Sequence, residues 1–202
     1  TIGPRLINKM SIEKLPSDDG TVSGNTKIVQ YDTEDQTLVL TPARRGSLNI
    51  ITSMKYEYVY EDPEDEYGKL VFTTVDANRF DIIVYPASGH VWDDQSTTEY
   101  TFTFIIETIK IRAPYLDEKN VEVINGIKTK TVTYAPYGNY QTMRVQFYSE
   151  AEAEGVNIIT AMTRNEDEST GGTVVLTATN ATEYPINFTP KVNYEWAEGV
   201  AA

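Results

Sequence analysis

Two stretches of this chain align with each other without a gap. Residues 71–86 have the sequence VFTTVDANRFDIIVYP, and residues 175–190 have the sequence VLTATNATEYPINFTP. Five positions are identical, and the aromatic Phe80 matches Tyr184. Both stretches predict a strand, a tight polar turn and a second strand. A shared register with no insertion indicates one supersecondary unit that is used twice.

Short strand-like segments recur along the whole chain, with turn signals between them. No segment longer than about one helical turn has the periodicity of an amphipathic helix, so the pattern is typical of all-β proteins. The 202 residues suffice for two domains of ordinary size. We predict an all-β fold with two consecutive antiparallel immunoglobulin-like β-sandwich domains. Residues 1–25 form an N-terminal arm and linker, residues 26–112 the first domain and residues 113–202 the second.

Two hairpins are predicted within these domains. Residues 27–31 and 36–41 are strand-like and flank an acidic turn, Asp32-Thr33-Glu34-Asp35. In the second half, residues 121–124 precede Asn125-Gly126, and a further strand begins near Lys128. An Asn-Gly pair is a strong signal for a two-residue hairpin turn, because both residues tolerate positive φ.

The composition excludes several classes of function. A formal net charge of −13, from 30 acidic and 17 basic residues, repels a phosphate backbone, so nucleic acid is not expected as a partner. The chain has no cysteine, which excludes disulfides, thiolate metal sites and a cysteine nucleophile. The chain contains no apolar run of membrane-helix length and its first residues lack a signal-peptide core, so we expect a soluble protein made in a cytoplasm.

The sequence contains one candidate for acid–base chemistry, His90, which lies beside Trp92, Asp93 and Asp94. A single histidine without cysteine is more typical of a loop than of a metal site. A Ser-His-Asp triad would need a nucleophile elbow, and no Gly-x-Ser-x-Gly sequence is present. We therefore expect a protein that is not an enzyme, with no catalytic residue, no metal ligand and no cofactor.

Two acidic runs, residues 61–66 and 150–154, are rich enough in carboxylates to attract Ca²⁺. Neither has the spacing of acidic residues that wraps one calcium ion in oxygen atoms. We interpret both as solvated acidic surfaces, and calcium binding stays an open alternative.

A row of tyrosines is the main candidate for a binding surface. Tyr56, Tyr58 and Tyr60 alternate with Lys55, Glu57, Val59 and Glu61, so the three rings share one face of a strand. Such a row faces either a core, a protein partner or the rings of a sugar. We predict that the three tyrosines and Trp92 bind a protein partner, with carbohydrate binding as the alternative.

The N-terminal segment combines apolar side chains with cations, although the chain as a whole is acidic. Residues 1–12 contain Ile2, Leu6, Ile7, Met10 and Ile12 together with Arg5 and Lys9. This combination suits an arm that adds a strand to an acidic partner. We predict that Ile2, Arg5, Leu6, Ile7 and Lys9 contact a partner and that deleting residues 1–15 changes the melting temperature little. The alternative is an extra strand of the first domain.

Each half of the chain resembles the degenerate immunoglobulin-like repeats, BACON domains among them, that occur in tandem on phage virions and bacterial surfaces. The residues that carry the resemblance are Pro42 and Gly46 before residues 48–51, Pro136 and Gly138 before residues 143–145, and the stretches 71–84 and 175–188. Antibody-type domains differ because they contain a cysteine pair.

The resemblance implies a structural protein of a tailed phage, such as a capsid decoration or head-fibre component. It implies a place in the virion, after synthesis in the host cytoplasm, and other structural subunits as partners. It attaches no catalytic residue to the chain, and it implies neither a membrane nor a nucleic acid as a partner. The alternative is a carbohydrate-binding or adhesion module on a bacterial cell surface.

Overall fold

A computed structural model describes residues 3–14, 20–116, 119–133 and 140–197 of the chain. The described residues form twenty β-strands and one helix of five residues, which confirms the predicted all-β fold. The chain divides into two compact units, Thr1–Ile109 and Lys110–Ala202. The immunoglobulin-like sandwich arrangement and the independent folding of two domains stay predictions.

The first unit contains eleven strands, and a twelfth, β12 (Ile109–Ile111), spans the boundary between the units. The eleven strands are β1 (Arg5–Ile7), β2 (Ser11–Ile12), β3 (Thr21–Ser23), β4 (Thr26–Gln30), β5 (Gln36–Ala43), β6 (Leu48–Ile51), β7 (Lys55–Val59), β8 (Gly68–Thr74), β9 (Arg79–Pro86), β10 (His90–Trp92) and β11 (Tyr100–Glu107). They form a five-stranded sheet in the order β3-β4-β11-β9-β6, a four-stranded sheet in the order β2-β5-β8-β7, and the parallel pair β1-β10.

Side chains from both large sheets of the first unit form one buried hydrophobic cluster. Its members include Leu38, Leu40, Leu70 and Phe72 from the four-stranded sheet, Ile82, Val84, Phe102, Phe104 and Ile106 from the five-stranded sheet, and Trp92 from β10. In β9 the fully buried residues alternate with more exposed ones, as expected for a strand with one face on a core. Burial of each such side chain stabilises the fold by roughly 1.5–3 kcal/mol.

The predicted hairpin of residues 27–31 and 36–41 is wrong. Its first strand, β4, pairs with β3 and with β11, and the pairing with β11 is parallel. Its second strand, β5, pairs with β2 and β8 in the other sheet. The acidic turn between β4 and β5 therefore carries the chain from one sheet to the other.

The N-terminal segment lies within the first unit where the structure describes it. β1 pairs in parallel with β10, which places Ile7 opposite Trp92, and β2 pairs with β5. Ile7 is buried in the hydrophobic cluster of the unit. Residues 5–7 and 11–12 are thus extra strands of the first unit, which is the alternative that the sequence left open.

The second unit contains the helix and the remaining strands. These are β13 (Val121–Ile124), β14 (Ile127–Lys130), β15 (Gln141–Gln146), α1 (Glu150–Glu154), β16 (Val156–Thr160), β17 (Thr163–Arg164), β18 (Thr173–Ala178), β19 (Ile186–Pro190) and β20 (Tyr194–Trp196). The strands form a three-stranded sheet in the order β15-β18-β17 and the pairs β16-β19, β12-β20 and β13-β14. Ser149 caps α1, because its hydroxyl accepts the Glu152 N–H at 3.2 Å.

The two aligned stretches have equivalent pairing in the two units. β8 lies between β5 and β7 in the first unit, and β18 lies between β15 and β17 in the second. The strand that follows in each stretch belongs to a different sheet, and its last residue, Pro86 or Pro190, pairs with Leu48 or Val156. This equivalence supports the inference that one supersecondary unit is used twice.

A second pair of matching sequences follows those two partners. Residues 49–54 are NIITSM and residues 157–162 are NIITAM, which differ only at Ser53 and Ala161. In both copies the threonine hydroxyl accepts the backbone N–H of the methionine at 3.2 Å. Ile51 and Ile159 occupy the same position and are 55% and 57% exposed.

Candidate functional site

Tyr56 and Tyr58 lie on β7, at one edge of the four-stranded sheet, and Tyr60 directly follows this strand. Tyr58 pairs with Leu70 and packs against the hydrophobic cluster of the first unit. Burial, with smaller contributions from the neighbouring Tyr60 and Tyr56, raises the pKa of Tyr58 to about 12. Tyr56 is more exposed, and its ring lies 5.5 Å from that of the buried Phe72. The row therefore follows the rim of the core.

Beside this edge strand is an open groove with a volume of about 600 Å³. Its lining residues are Arg44, Arg45, Tyr58, Val59, Tyr60, Pro63, Asp65 and Glu66. We call it the Arg–Tyr groove. Two of the tyrosines that the sequence singled out are part of it, together with two adjacent arginines that the sequence analysis missed.

The turn between β5 and β6 places the two arginines. Gly46 has a φ of +73°, a conformation that favours glycine, and the buried Ser47 donates its hydroxyl to the Arg44 carbonyl oxygen at 2.8 Å. This tight turn takes the chain from the four-stranded sheet to the five-stranded sheet just after the arginine pair. A Cβ at Gly68 would lie 2.3 Å from the Val59 carbonyl oxygen, so β7 and β8 approach too closely there for any other residue.

Tyr60 is held between polar and aromatic neighbours in the groove. The Arg45 guanidinium lies 4.7 Å from the ring centroid of Tyr60. The rings of Tyr58 and Tyr60 stack with 6.3 Å between centroids and 14° between planes. The Tyr60 hydroxyl is buried and has no hydrogen-bond partner among the described residues. A buried hydroxyl without a partner is unfavourable, so a group that binds here gains by pairing with it.

The second arginine is neutralised within the site. Arg44 forms an ion pair with Glu66 and lies 5.7 Å from the ring centroid of Tyr67. Glu66 also accepts from Arg5 at 2.5 Å, so the predicted partner-binding residue Arg5 lies at the edge of the groove. Arg45 has no such carboxylate partner in the part of the chain that the structure describes. Its guanidinium donors are therefore available to a ligand.

The other predicted residues of the N-terminal segment have different surroundings. Leu6 is exposed. Ile7 is buried in the core, so its predicted contact with a partner is corrected. Ile2 lies outside the described residues. Lys9 forms an ion pair of 2.5 Å with Asp94 and lies 5.8 Å from the ring centroid of Tyr100. Hydrogen bonding to Asp94 raises the pKa of Lys9, and the same contact lowers the pKa of Asp94. A partner-binding role for Leu6 and Lys9 stays a prediction.

Trp92 is fully buried in the first unit. Its indole N–H donates to the Thr98 carbonyl oxygen at 2.7 Å, and its ring meets Tyr100 edge-on at 5.5 Å. The predicted contact of Trp92 with a partner is corrected, because a side chain without exposed surface cannot reach one. The tryptophan holds the following loop against the core.

His90 begins β10 and pairs with Arg5. Its Nδ1 atom is buried without a hydrogen-bond partner among the described residues. Within the described ranges, no group of three His, Cys, Asp or Glu side chains is arranged to hold a metal ion. None of the described helices is both long and apolar enough to cross a membrane.

Comparison with known proteins gives little further information. No family model and no curated protein matches the chain. Among solved structures, the chain is similar to domains 5–6 of the S-layer protein SbsC, with 11% identity, a TM-score of 0.26, and coverage of 93% of this chain and 99% of that chain. A likeness at this TM-score supports no argument about fold or function.

Proposed function

We propose that this chain is a non-enzymatic structural protein that binds a protein lattice, as a capsid-associated or decoration component of a tailed-phage virion. The Arg–Tyr groove is the observation that carries the proposal. Arginine and tyrosine dominate the energetics of protein interfaces, because both combine a large flat surface with hydrogen-bond donors. Arg45 and Tyr60 together present free guanidinium donors and an unpaired hydroxyl. These groups suit the carboxylates and backbone carbonyl oxygens of a protein partner.

The repeated sequence of residues 49–54 and 157–162 gives the proposal a second support. Thr52 and Thr160 have a structural role, because the hydroxyl of each accepts the backbone N–H of the methionine two residues later. Ile51 and Ile159 have no such role and are more than half exposed. Exposed isoleucines at equivalent positions of two units are suited to contacts with a partner that presents repeated subunits.

The second candidate function is carbohydrate binding on a bacterial surface. The open groove and its tyrosines favour it, because sugar rings stack on aromatic faces. The contacts of the three tyrosine rings argue against it, because they cover the ring faces that a sugar would need. Arg45 and Tyr58 lie against the Tyr60 ring, and Tyr58 packs on the core. The Tyr56 ring packs against Phe72. Glycan binding that is lost in Tyr56→Ala and kept in Glu57→Ala would support the sugar alternative.

The proposal is tested by sedimentation with assembled particles. Particles from cells that produce this chain are separated on a density gradient, and purified wild-type protein is added back to particles that lack it. We expect wild-type protein and Arg79→Ala to sediment with the particles. Arg45→Ala should bind at least about tenfold more weakly, because an interface arginine is worth more than about 1.4 kcal/mol.

Arg79 is the matched control, since it is an exposed arginine of the first unit outside the groove. Equal binding of Arg45→Ala and Arg79→Ala would remove the groove from the proposal. Wild-type protein that stays at the top of the gradient, or that turns over a glycan or an ester, would contradict the function itself.

A further inference from the structure

The second unit carries a β-ribbon, formed by β13 and β14, that pairs with no further strand among the described residues. The two strands pair from Val121 with Lys130 to Ile124 with Ile127. Asn125 and Gly126 form the turn, with φ values of 52° and 83°. A two-stranded ribbon alone is marginally stable in water. Backbone groups along such a ribbon can pair with another strand.

The end of this ribbon is apolar and exposed. Val123 and Ile127 are 68% and 69% exposed, and Ile124 is 46% exposed. Side chains of this kind at a ribbon tip contribute little to the unit that carries them. They gain by burial against another surface, at roughly 25 cal/mol per Å² of apolar area.

The ribbon is also basic, in contrast to the rest of the chain. Residues 121–130 contain two lysines and one glutamate, a net charge of +1, whereas the whole chain has a formal net charge of −13. Lys128 is exposed near the turn. The charge of the ribbon is therefore complementary to most of the surface of the same protein. Another copy of the chain is a partner that meets this requirement.

The first unit has an acceptor of matching chemistry at the edge strand β7. β7 pairs with β8 on one side and is the last strand of its sheet. Tyr56 and Val59 on this strand are exposed. The exposed acidic run of residues 61–66 follows directly, and its Glu64 side chain has no ion-pair partner in the described part of the chain. An incoming strand can add to this edge while its exposed Lys128 reaches the acidic run.

We propose that the β13–β14 ribbon of one copy docks on β7 and residues 61–66 of a second copy. The inference rests on the proposed structural function and names the chain itself as one partner in the lattice. The contact joins different surfaces of the two copies, so it is heterologous and allows continued head-to-tail assembly.

Analytical ultracentrifugation of the full chain over a concentration series tests the docking. We expect wild-type protein to associate as its concentration rises, and Lys128→Glu and Glu64→Lys each to weaken association at least about tenfold. The charge-matched controls Lys191→Glu and Glu107→Lys, exposed and outside both surfaces, should associate like wild type. Circular dichroism of each variant verifies that it is folded.

The decisive sample is an equimolar mixture of Lys128→Glu with Glu64→Lys. In the mixture, the unchanged ribbon of Glu64→Lys meets the unchanged acidic run of Lys128→Glu, and the reversed ribbon meets the reversed run. The mixture should therefore associate more strongly than either variant alone. Wild-type protein that is monomeric up to its solubility limit would overturn the inference, as would a mixture no more associated than its components. Pro63, Asp65 and Glu66 also line the Arg–Tyr groove, so a docked copy and a lattice partner compete there. Sedimentation of Lys128→Glu, whose own groove is unchanged, with the particles tests the proposed function alone, so the two proposals fail separately.

Discussion

At the scale of single residues, the best-defined polar contact of the second unit joins Arg112 to Glu152. Arg112 Nε donates to Glu152 Oε1 at 2.8 Å and Nη2 donates to Oε2 at 3.3 Å. The same guanidinium lies 3.8 Å from the ring centroid of Tyr148. Burial of the Glu152 carboxyl opposes ionisation, but the hydrogen bonds from Arg112 outweigh it and lower the pKa of Glu152. The contact ties the start of the unit to α1.

This contact predicts a pH dependence of stability. A lowered carboxyl pKa stabilises the folded state above the ordinary value of 4.5, and the contribution is lost as pH falls through the folded-state pKa. We expect Glu152→Gln to lower the free energy of unfolding by about 1 kcal/mol at pH 7 and by less well below pH 4.5. Urea denaturation of both proteins under the two conditions measures the difference.

Glu154→Gln is the control, because Glu154 is an exposed residue of the same helix. If Glu152→Gln lowered the free energy of unfolding equally at pH 7 and well below pH 4.5, the effect could not be assigned to the charged pair.

At the scale of elements, β1 joins the N-terminal segment to the core of the first unit. Ile7 lies opposite Trp92 and is buried, while its neighbour Leu6 is about half exposed. The segment therefore contributes to the free energy of unfolding of the first unit. Deletion of residues 1–15 should lower the melting temperature clearly, in contrast to the small effect predicted from the sequence, because it removes Ile7 from the core.

The neighbouring pair provides a matched test. We expect Ile7→Ala to lower the free energy of unfolding of the first unit by about 2–5 kcal/mol, since it removes a buried side chain and leaves a cavity. Leu6→Ala should change it by less than about 0.5 kcal/mol. Urea denaturation followed by tryptophan fluorescence, with Trp92 as a probe inside the unit, measures both. Equal midpoints for the two variants would show that β1 is dispensable for the fold.

The sequence predicts elements where the determinant is local. The turn at Asn125-Gly126 was predicted from the two residues that adopt positive φ, and the structure confirms it. The hairpin of residues 27–31 and 36–41 is wrong because turn composition does not reveal whether the next strand stays in the sheet or crosses to another. The matching sequences at residues 49–54 and 157–162 carried a stronger signal of the duplication than the stretches first aligned.

The candidate site was predictable only in part, because the sequence predicts what neighbouring residues determine and not which distant segments pair. Alternation along β7 identified Tyr58 and Tyr60, because their shared face follows from the strand period. Arg44, Arg45 and Glu66 come from separate segments, and only the pairing of the strands brings them together. The sequence signal that could have identified the groove was the pair of adjacent arginines, Arg44 and Arg45, directly before Gly46. Trp92 was grouped with the tyrosines as a partner-binding aromatic residue, whereas its indole ring is in the core.

At the scale of the whole molecule, the chain is an acidic all-β protein of two units, each with a proposed contact surface. The first unit carries the Arg–Tyr groove beside an edge strand, and the second carries an apolar basic ribbon. Both surfaces combine exposed apolar or aromatic groups with charged donors, as protein interfaces do. This combination is the physical basis of the proposed lattice function.

The most direct measurement is the copy number of this chain in purified particles. Particles from cells that produce it are isolated by two successive density gradients and quantified by mass spectrometry against labelled peptides of this chain and of the major lattice subunit. If the chain is a structural component of the particles, we expect a constant ratio of the chain to that subunit across the particle peak and between preparations. A chain that is absent from the particles, or whose ratio falls towards zero with each round of purification, would contradict it.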